Sequence, residues 1–286
     1  MPELPEVETT VRDLRKKVLK RTFVDVWTDT EKIIKCPSSF RKFKKEIIGK
    51  KIEDIKRKGK NILFFLSQKK VLLVHQKLTG HLLYGKWRKK NNKWTPTRGS
   101  LSEKVNTFLH LIFFLDNGKQ IALSDLRKFA KVALYPLEKF HQLKEIKELG
   151  PDPLTLTFEK FKERISSSKK SIKEVLMDQK IISGVGNIYS AEALFLAKIH
   201  PLKKASDLSE KEKKRLFKAI RKVLKEAIKL GGESISDYRK IDGTKGLYDR
   251  IRRVYRRDKC PICSSQIKKI KINQRSAYFC PKCQKL

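Results

Sequence analysis

Phe108-Leu109-His110-Leu111-Ile112-Phe113-Phe114-Leu115-Asp116-Asn117-Gly118-Lys119-Gln120-Ile121-Ala122-Leu123 reads as two strands joined by a tight turn. Asn117-Gly118 accepts the left-handed backbone that a short hairpin needs, and the apolar runs on either side are those of strands buried in a core. Upstream the same signature repeats. Thr22 to Trp27 and Lys51 to Ile55 alternate apolar with polar residues, and Asn61 to Leu66 and Val71 to His75 read as a pair of buried strands. Short strands with turns between them over residues 22 to 135 predict a β-sandwich or barrel. Ahead of them, Pro5 suits a first helical turn, and Val7, Val11, Leu14 and Val18 follow at helical spacing.

Downstream, Gly150-Pro151-Asp152-Pro153 punctuates the chain, and the pattern turns helical to about residue 230. Ser209 and Glu212 have capping-box spacing. The helix they open carries Leu216, Phe217, Ile220, Val223, Leu224, Ala227 and Ile228 on its buried side, and Gly231-Gly232 stops it. Residues 232–247 read as a long loop, of the kind that is usually functional or mobile. The remainder is a cysteine module.

The chain has 286 residues, 69 Lys and Arg against 31 Asp and Glu, and a net charge of +38. That excess runs through the folded-looking segments and calls for a polyanionic partner, with nucleic acid favoured over an anionic membrane surface. No apolar h-region opens the sequence and no run of eighteen apolar residues occurs, so neither a signal peptide nor a membrane span is expected. Of five cysteines, four form Cys260-x2-Cys263 and Cys280-x2-Cys283, sixteen residues apart, and Cys36 stands alone. The spacing is that of a four-thiolate zinc site; with every position filled by protein, one zinc ion there is structural. The intervening segment fits a hairpin whose tip, near Arg275, presents cations suited to phosphate.

Three further stretches carry chemistry. Once Met1 is removed, Pro2 ends the chain with a secondary amine able to attack a sugar aldehyde carbon, and Glu3 beside it can move protons. A helix N-terminus nearby disfavours the ammonium form. The bland alternative is a helix with a proline near its start. Gly184-Val185-Gly186-Asn187 precedes a helical segment, giving either an anion site of free N–H groups or a plain connecting turn. Asp125-Leu126-Arg127-Lys128-Phe129 sets a cation two residues from an aromatic, a pairing that can open and hold a base step, or a strand end with Phe129 in the core.

Together these residues resemble the bacterial formamidopyrimidine-DNA glycosylases over nearly the whole chain. The likeness runs from Pro2-Glu3-Leu4-Pro5-Glu6-Val7-Glu8-Thr9 through Lys60 in Arg57-Lys58-Gly59-Lys60, His75 to Gly80 and Asp125 to Phe129. It continues through Leu176-Met177-Asp178 to Gly184-Val185-Gly186-Asn187-Ile188-Tyr189, and ends at Gln274-Arg275 and Phe279-Cys280-Pro281-Lys282-Cys283. The resemblance implies an α+β multidomain fold: an N-terminal β-sandwich with its helix (1–136), a helix–two-turn–helix domain (137–250) and a C-terminal β-hairpin zinc finger (251–286). Duplex DNA would lie between the domains with the damaged purine flipped out. The family's chemistry then makes Pro2 the nucleophile, Glu3 the proton carrier, and Lys60 and Arg275 the donors for β- and δ-elimination. A permanently cationic Arg275 reads better as a phosphate clamp. DNA contacts fall to His75, His110, Lys173 and Asn187, while Leu78, Arg127 and Phe129 fill the gap left by the flipped base. The loop from Gly232 to Gly246 would cover the extruded lesion.

Several positions depart from the family pattern. Leu78 stands for a wedge Met, Leu126 and Ala130 replace a Pro and a Gly, and Phe108-Leu109-His110 retains one of two expected His. The resemblance implies a cytoplasmic monomer. Competing readings are an endonuclease VIII-type enzyme for oxidised pyrimidines and a non-catalytic zinc-finger DNA-binding protein. Leu4-Pro5-Glu6-Val7 and the Arg127/Phe129 pair favour the purine enzyme.

Overall fold

Glu3 ends the extended N-terminus and opens α1 (Leu4–Val18), with Pro5 in the first turn and Glu6 three residues on closing a capping box. The computed structural model describes residues 1–91, 93–97, 99–235 and 237–286. After α1 come β1 (Phe23–Thr28), β2 (Ile34–Cys36), α2 (Phe40–Ile47), β3 (Ile52–Lys58), β4 (Asn61–Leu66), β5 (Lys70–His75) and β6 (His81–Gly85). The strands continue with β7 (Trp87–Lys90), β8 (Lys93–Pro96), β9 (Leu109–Leu115), β10 (Gln120–Ser124) and β11 (Lys131–Pro136). Then follow α3 (Leu137–Gln142), α4 (Lys144–Lys147), α5 (Phe158–Ser166), α6 (Ile172–Met177), α7 (Asn187–Leu196), α8 (Glu210–Lys229), β12 (Lys268–Ile272) and β13 (Arg275–Phe279).

Contacts group these elements into two compact units. The first comprises Met1–Lys147 with Leu230–Leu247, and the second Glu148–Lys229 with Tyr248–Leu286. In the first unit, one sheet has the order β1-β9-β10-β6 and the other β2-β11-β5-β4-β3. Both send side chains into one core. Val26, Leu111, Phe113, Leu115, Ile121 and Leu123 come from one sheet, Ile55, Ile62, Phe64, Leu72, Val74, Val132 and Leu134 from the other, and Val7, Val11, Leu14 and Val18 from α1. This is the sandwich that the strand run predicted. The Asn117-Gly118 turn joins β9 to β10, with Gly118 at φ +70°.

Strand β9 is buried on both faces, because a second cluster covers the outer side of its sheet. Ile112 and Ala122 pack there against Leu83, Trp87 and Leu101, with Trp27, Trp94 and Phe114 at the margin. The β7–β8 hairpin supplies two of those tryptophans. The sequence does not announce this hairpin, because its Lys and Arg residues hide the apolar alternation.

Segment 230–247 leaves α8 at Gly231 and Gly232, both in the left-handed region (φ +76° and +84°). It is a loop, as its glycines predict, but it is pinned to the first unit. The Tyr84 N–H donates to the Ile241 carbonyl (2.6 Å), and the Arg239 guanidinium pairs with both oxygens of Glu103 (2.8 and 2.6 Å). Ser100 Oγ donates to the Asp242 carbonyl (2.6 Å), and Ile241 joins the core.

In the second unit the Ser209–Glu212 capping box forms, with Ser209 N–H donating to Glu212 Oε2 at 2.8 Å. Leu216, Ile220, Val223, Leu224 and Ala227 are buried along α8 as its periodicity requires. Phe217 is half-buried, between Phe158 and Phe161 (ring centroids 5.7 and 5.4 Å apart). Helices α6 and α7 are joined by consecutive turns over residues 178–186, and β12 and β13 form the C-terminal hairpin. Among the described residues no helix is long and apolar enough to cross a membrane.

Phe113 is 2% exposed and its ring lies 5.2 Å from that of Phe23 and 6.3 Å from that of Phe43. Phe113→Ala is expected to lower stability by about 3–5 kcal/mol in urea unfolding. A loss under about 1 kcal/mol would show that this cluster is not close-packed.

Candidate functional site

Behind exposed Met1, the N-terminal residues are buried in the first unit among charged side chains. Pro2 is buried, Glu3 is 3% exposed, Glu6 2% and Lys60 7%. Glu6 binds two backbone groups: Glu3 N–H donates to its Oε2 (2.7 Å) and Glu233 N–H to its Oε1 (2.8 Å). Tyr238 OH donates to its carbonyl (3.2 Å). Gly232 must be glycine there, since a Cβ would lie 2.7 Å from Glu6 Oε1. Burial holds the Met1 amine, one residue ahead of Pro2, below its ordinary pKa; Lys60 acts in the same sense, against Glu3 and Glu6. The same surroundings would favour the neutral, nucleophilic form of an amine on Pro2.

Lys60 sits in the β3–β4 turn, where Gly59 has φ +57°. Arg57 fastens that turn to α1: its Nε donates to Glu8 Oε2 (2.8 Å) and its guanidinium to the Gly59 carbonyl (3.3 Å). Burial pulls Glu8 upward in pKa, but hydrogen bonds from Arg57 and Arg12 outweigh it and hold the carboxyl below its usual value. In the sheet His75 lies between Asn61 of β4 and Lys131 of β11. Burial, then Lys77, Lys60 and Lys131, keep its imidazole well below the ordinary pKa. Its Nδ1 accepts from Lys77 N–H (2.9 Å), so the neutral ring carries its proton on Nε2, as a donor.

The end of β6 pairs His81 with Ser124 of β10, which brings the turns beyond them together. Asp125, 1% exposed, takes a hydrogen bond from Thr79 Oγ1 on one carboxylate oxygen and from Ala130 N–H (2.8 Å) on the other. Thr79 Oγ1 in turn accepts from Arg127 N–H (3.1 Å). One threonine–aspartate pair thus clips the Leu78 turn to the Arg127–Phe129 loop. The Arg127 guanidinium stacks 4.7 Å from the Phe129 ring centroid, and Phe129 is 49% exposed. The core placement of Phe129 is excluded: it faces solvent. His110 lies on β9 with its Nδ1 2.8 Å from Asp29.

In the second unit, Gln179 shapes the glycine turn ahead of α7. Its carbonyl accepts from Gly184 N–H (2.8 Å) and its amide donates to the Met177 and Val185 carbonyls (2.9 and 2.8 Å). Asn187 begins α7 with a half-buried side chain whose Oδ1 has no partner among the described residues. Lys173 is 0% exposed, and its ammonium donates to the Asn187 carbonyl (3.1 Å) and Ser190 Oγ (3.0 Å). It lies beneath the turn, whereas the sequence reading sets it among the DNA contacts.

Cys260, Cys263, Cys280 and Cys283 bring their sulfurs within 4.8 Å of one another. Three separations are 3.8, 3.4 and 3.6 Å, near the roughly 3.8 Å edge of a tetrahedron with ~2.3 Å zinc–sulfur bonds. Ile262 and Cys283 N–H groups point at Cys260 and Cys280 sulfurs (3.4 and 3.5 Å), as thiolate ligands require. The donor set fits a metal ion, and the cluster packs on Ala191 and Phe195 of α7. Glu192, fully buried, ties α7 to the segment before the finger by accepting from the N–H groups of Arg253, Val254 and Tyr255 (2.8, 2.9 and 2.9 Å). Arg275 is exposed beside the β12–β13 turn, whose Asn273 and Gln274 have φ +43° and +60°.

These modules have counterparts. The formamidopyrimidine-DNA glycosylase of Pelotomaculum thermopropionicum is 39% identical over 292 residues, covering 100% of both chains. That of Desulforamulus reducens is 37% identical over 290 residues, covering 100% of this chain and 99% of its own. The chain belongs to the formamidopyrimidine-DNA glycosylase family. Profiles described as that enzyme's N-terminal domain, its H2TH domain and the zinc finger found in FPG and IleRS match residues 1–132, 149–239 and 257–286. The Lactococcus lactis Fpg, solved in complex with an abasic site containing DNA, superposes with TM-score 0.86 at 32% identity, covering 99% of this chain and 100% of its own. The family fold of sandwich, helix–two-turn–helix and zinc finger is therefore the fold of this chain.

Sequence reasoning passes over Glu6, Thr79, Gln179 and Glu192. Glu6 has a readable signal in its capping-box spacing from Glu3; the others act mainly through groups that no local pattern pairs with them. Thr79→Val keeps the shape and removes the hydroxyl, so amide exchange at Arg127 should accelerate roughly tenfold or more, while Thr79→Ser retains protection. Unchanged exchange in Thr79→Val would show that the two turns are not clipped.

Proposed function

We propose that this family member is a bifunctional DNA glycosylase and lyase that removes oxidised purines, 8-oxoguanine and formamidopyrimidines, from duplex DNA. The observation that carries the reading is the N-terminus: Pro2 is buried at the start of α1 next to buried Glu3, and buried Lys60 acts on the same terminus, where the Met1 amine has a lowered pKa. With Met1 removed, the Pro2 nitrogen attacks C1′ of the flipped nucleotide, the glycosidic bond breaks, and the base leaves with a proton. Glu3 delivers a proton to the ring oxygen as the sugar opens, leaving an iminium between Pro2 and C1′. That cation acidifies C2′–H; its loss expels the 3′ phosphate, with Lys60 as proton donor. A second elimination expels the 5′ phosphate, and water frees Pro2.

Leu78, Arg127 and Phe129 fill the vacated space, Arg127 facing the orphaned cytosine. The exposed, stacked Arg127–Phe129 pair supports this role. His75 in its neutral form binds a phosphate, as do His110, Asn187, Lys60 and Arg275, with Lys173 holding the Asn187 turn from below. Segment 232–246 covers the lesion. Domain limits of 1–136, 137–250 and 251–286 are part of this reading; the profile matches at 1–132, 149–239 and 257–286 support it, although residues 137–147 and 230–247 group with the first unit. The four thiolates hold one structural zinc ion that keeps the Arg275 hairpin folded. A cytoplasmic monomer suits a chain whose cysteines serve a metal site in place of disulfides.

On a duplex with 8-oxoguanine opposite cytosine, borohydride should trap a covalent protein–DNA adduct that maps to Pro2. Glu3→Gln should lose base release while still binding DNA. An adduct on another residue, or none from protein lacking Met1, overturns the mechanism; adducts on oxidised pyrimidines alone would reassign the substrate. Metal analysis should find about one zinc per chain, and Cys283→Ser should lose it together with affinity for DNA. A stoichiometry near zero in well-folded protein would remove the metal from the account.

A further inference from the structure

From Gly85 to Ser102 the chain has six Lys and Arg residues and no Asp or Glu. Most of this stretch is the β7–β8 hairpin, where Arg88 pairs with Thr95, Lys89 with Trp94 and Lys90 with Lys93. Side chains alternate between faces along a strand, and cross-strand partners share one. Trp87, Lys89, Trp94 and Pro96 accordingly face the sheet, and Arg88, Lys90, Lys93 and Thr95 face outward. Arg88, Lys90, Lys93 and Thr95 are all exposed, whereas Trp87 is 3% exposed.

The base of the hairpin is rigid. Buried Gln120 binds the Trp87 backbone on both sides, accepting from its N–H (2.6 Å) and donating to its carbonyl (3.2 Å). The Trp94 ring lies 5.4 Å from Trp27 and 5.7 Å from Phe114. Some surface cations of this unit are paired, Lys44 with Asp25 (2.6 Å) and Lys70 with Glu46 (2.9 Å). Arg88, Lys90 and Lys93 form no ion pair with the described residues. Lys90 directly opposite Lys93 is a destabilising placement that a bound polyanion relieves.

We propose that the β7–β8 hairpin is a second, lesion-independent contact for the phosphate backbone of duplex DNA; this rests on the glycosylase reading above. Arg88 and Lys90 are spaced by two strand residues, about 6.8 Å, comparable to two of the ~3.4 Å per-strand charge spacings along the duplex axis. The hairpin leaves β6 at Gly85, whereas the Leu78 turn enters it at His81. Four residue steps of strand from His81 to Gly85 separate the two by about 14 Å, so the contact falls on DNA flanking the lesion. Both tryptophans are turned inward. The outward face therefore offers neither a ring for stacking an unpaired base nor an apolar side chain for entering a bilayer.

The test compares Arg88→Gln/Lys90→Gln/Lys93→Gln with a charge-matched control, Arg41→Gln/Lys42→Gln/Lys45→Gln on the exposed side of α2. Affinity for an undamaged duplex of about 30 base pairs is measured from roughly 50 to 300 mM salt. The slope of log affinity on log salt should be shallower than the control's by roughly 0.9 for each phosphate no longer neutralised, up to about 2.7 for three. Borohydride trapping on saturating 8-oxoguanine duplex should match wild type. A slope equal to the control's overturns the proposal and leaves the glycosylase reading intact. So does a weakening confined to vesicles of anionic phospholipid, which would make the hairpin a membrane contact. Failure of trapping in the wild-type enzyme strikes the glycosylase reading instead, and with it this one.

Discussion

The Glu6 carboxylate, at 2% exposure, is held by Glu3 N–H on one oxygen and Glu233 N–H on the other. A buried carboxylate needs such donors, because an unpaired charge in that setting costs several kcal/mol. Its two partners lie at the two ends of the first unit's sequence. The same residue thus holds both the Glu3 backbone, at the start of α1, and the Glu233 backbone beyond α8. Tyr238 reinforces the junction through the Glu6 carbonyl, and Gly232 leaves room for it. The N-terminal site and the loop beside it are in this sense one structure, organised by a helix-capping acid.

Charge works at two scales. The excess of +38 attracts a polyanion to the whole surface, an effect that salt screens. Near the N-terminus, burial makes individual charges strong: Lys60 bears on both the Met1 amine and His75. The same chemistry that is diffuse outside becomes selective where water is excluded. Cations on the outward faces of the β7–β8 and β12–β13 hairpins stand between these limits, fixed in place by backbone pairing but hydrated.

Six of the sandwich strands were legible, as short apolar or alternating runs ended by turns, whereas β2, β6 and β11 were not named from the sequence. The predicted Asn61–Leu66 strand is β4, and the predicted Gln120–Leu123 strand lies within β10 (Gln120–Ser124). The zinc finger was legible from four residues and their spacing. The β7–β8 hairpin was not: its pattern is dominated by lysine and arginine, and its tryptophans make sense only against Trp27 and Phe114 of other strands. Phe129 shows the reverse case, an aromatic that strand grammar puts inside and the structure leaves outside, stacked under Arg127.

What the sequence determined by itself is local and compositional: the helix start marked by Pro5, the Asn117-Gly118 turn, the thiol spacing and the charge suited to a polyanion. Each depends on backbone preferences or side-chain chemistry within a few residues. Tertiary structure alone decided that Lys173 is buried beneath Asn187, that Thr79 and Asp125 join two turns, and that residues 230–247 belong with the N-terminal unit. These outcomes rest on hydrogen bonds and packing between segments far apart in the chain. Such contacts leave no period or spacing in the sequence, because the energy that fixes them arises only when the core has brought both partners out of water.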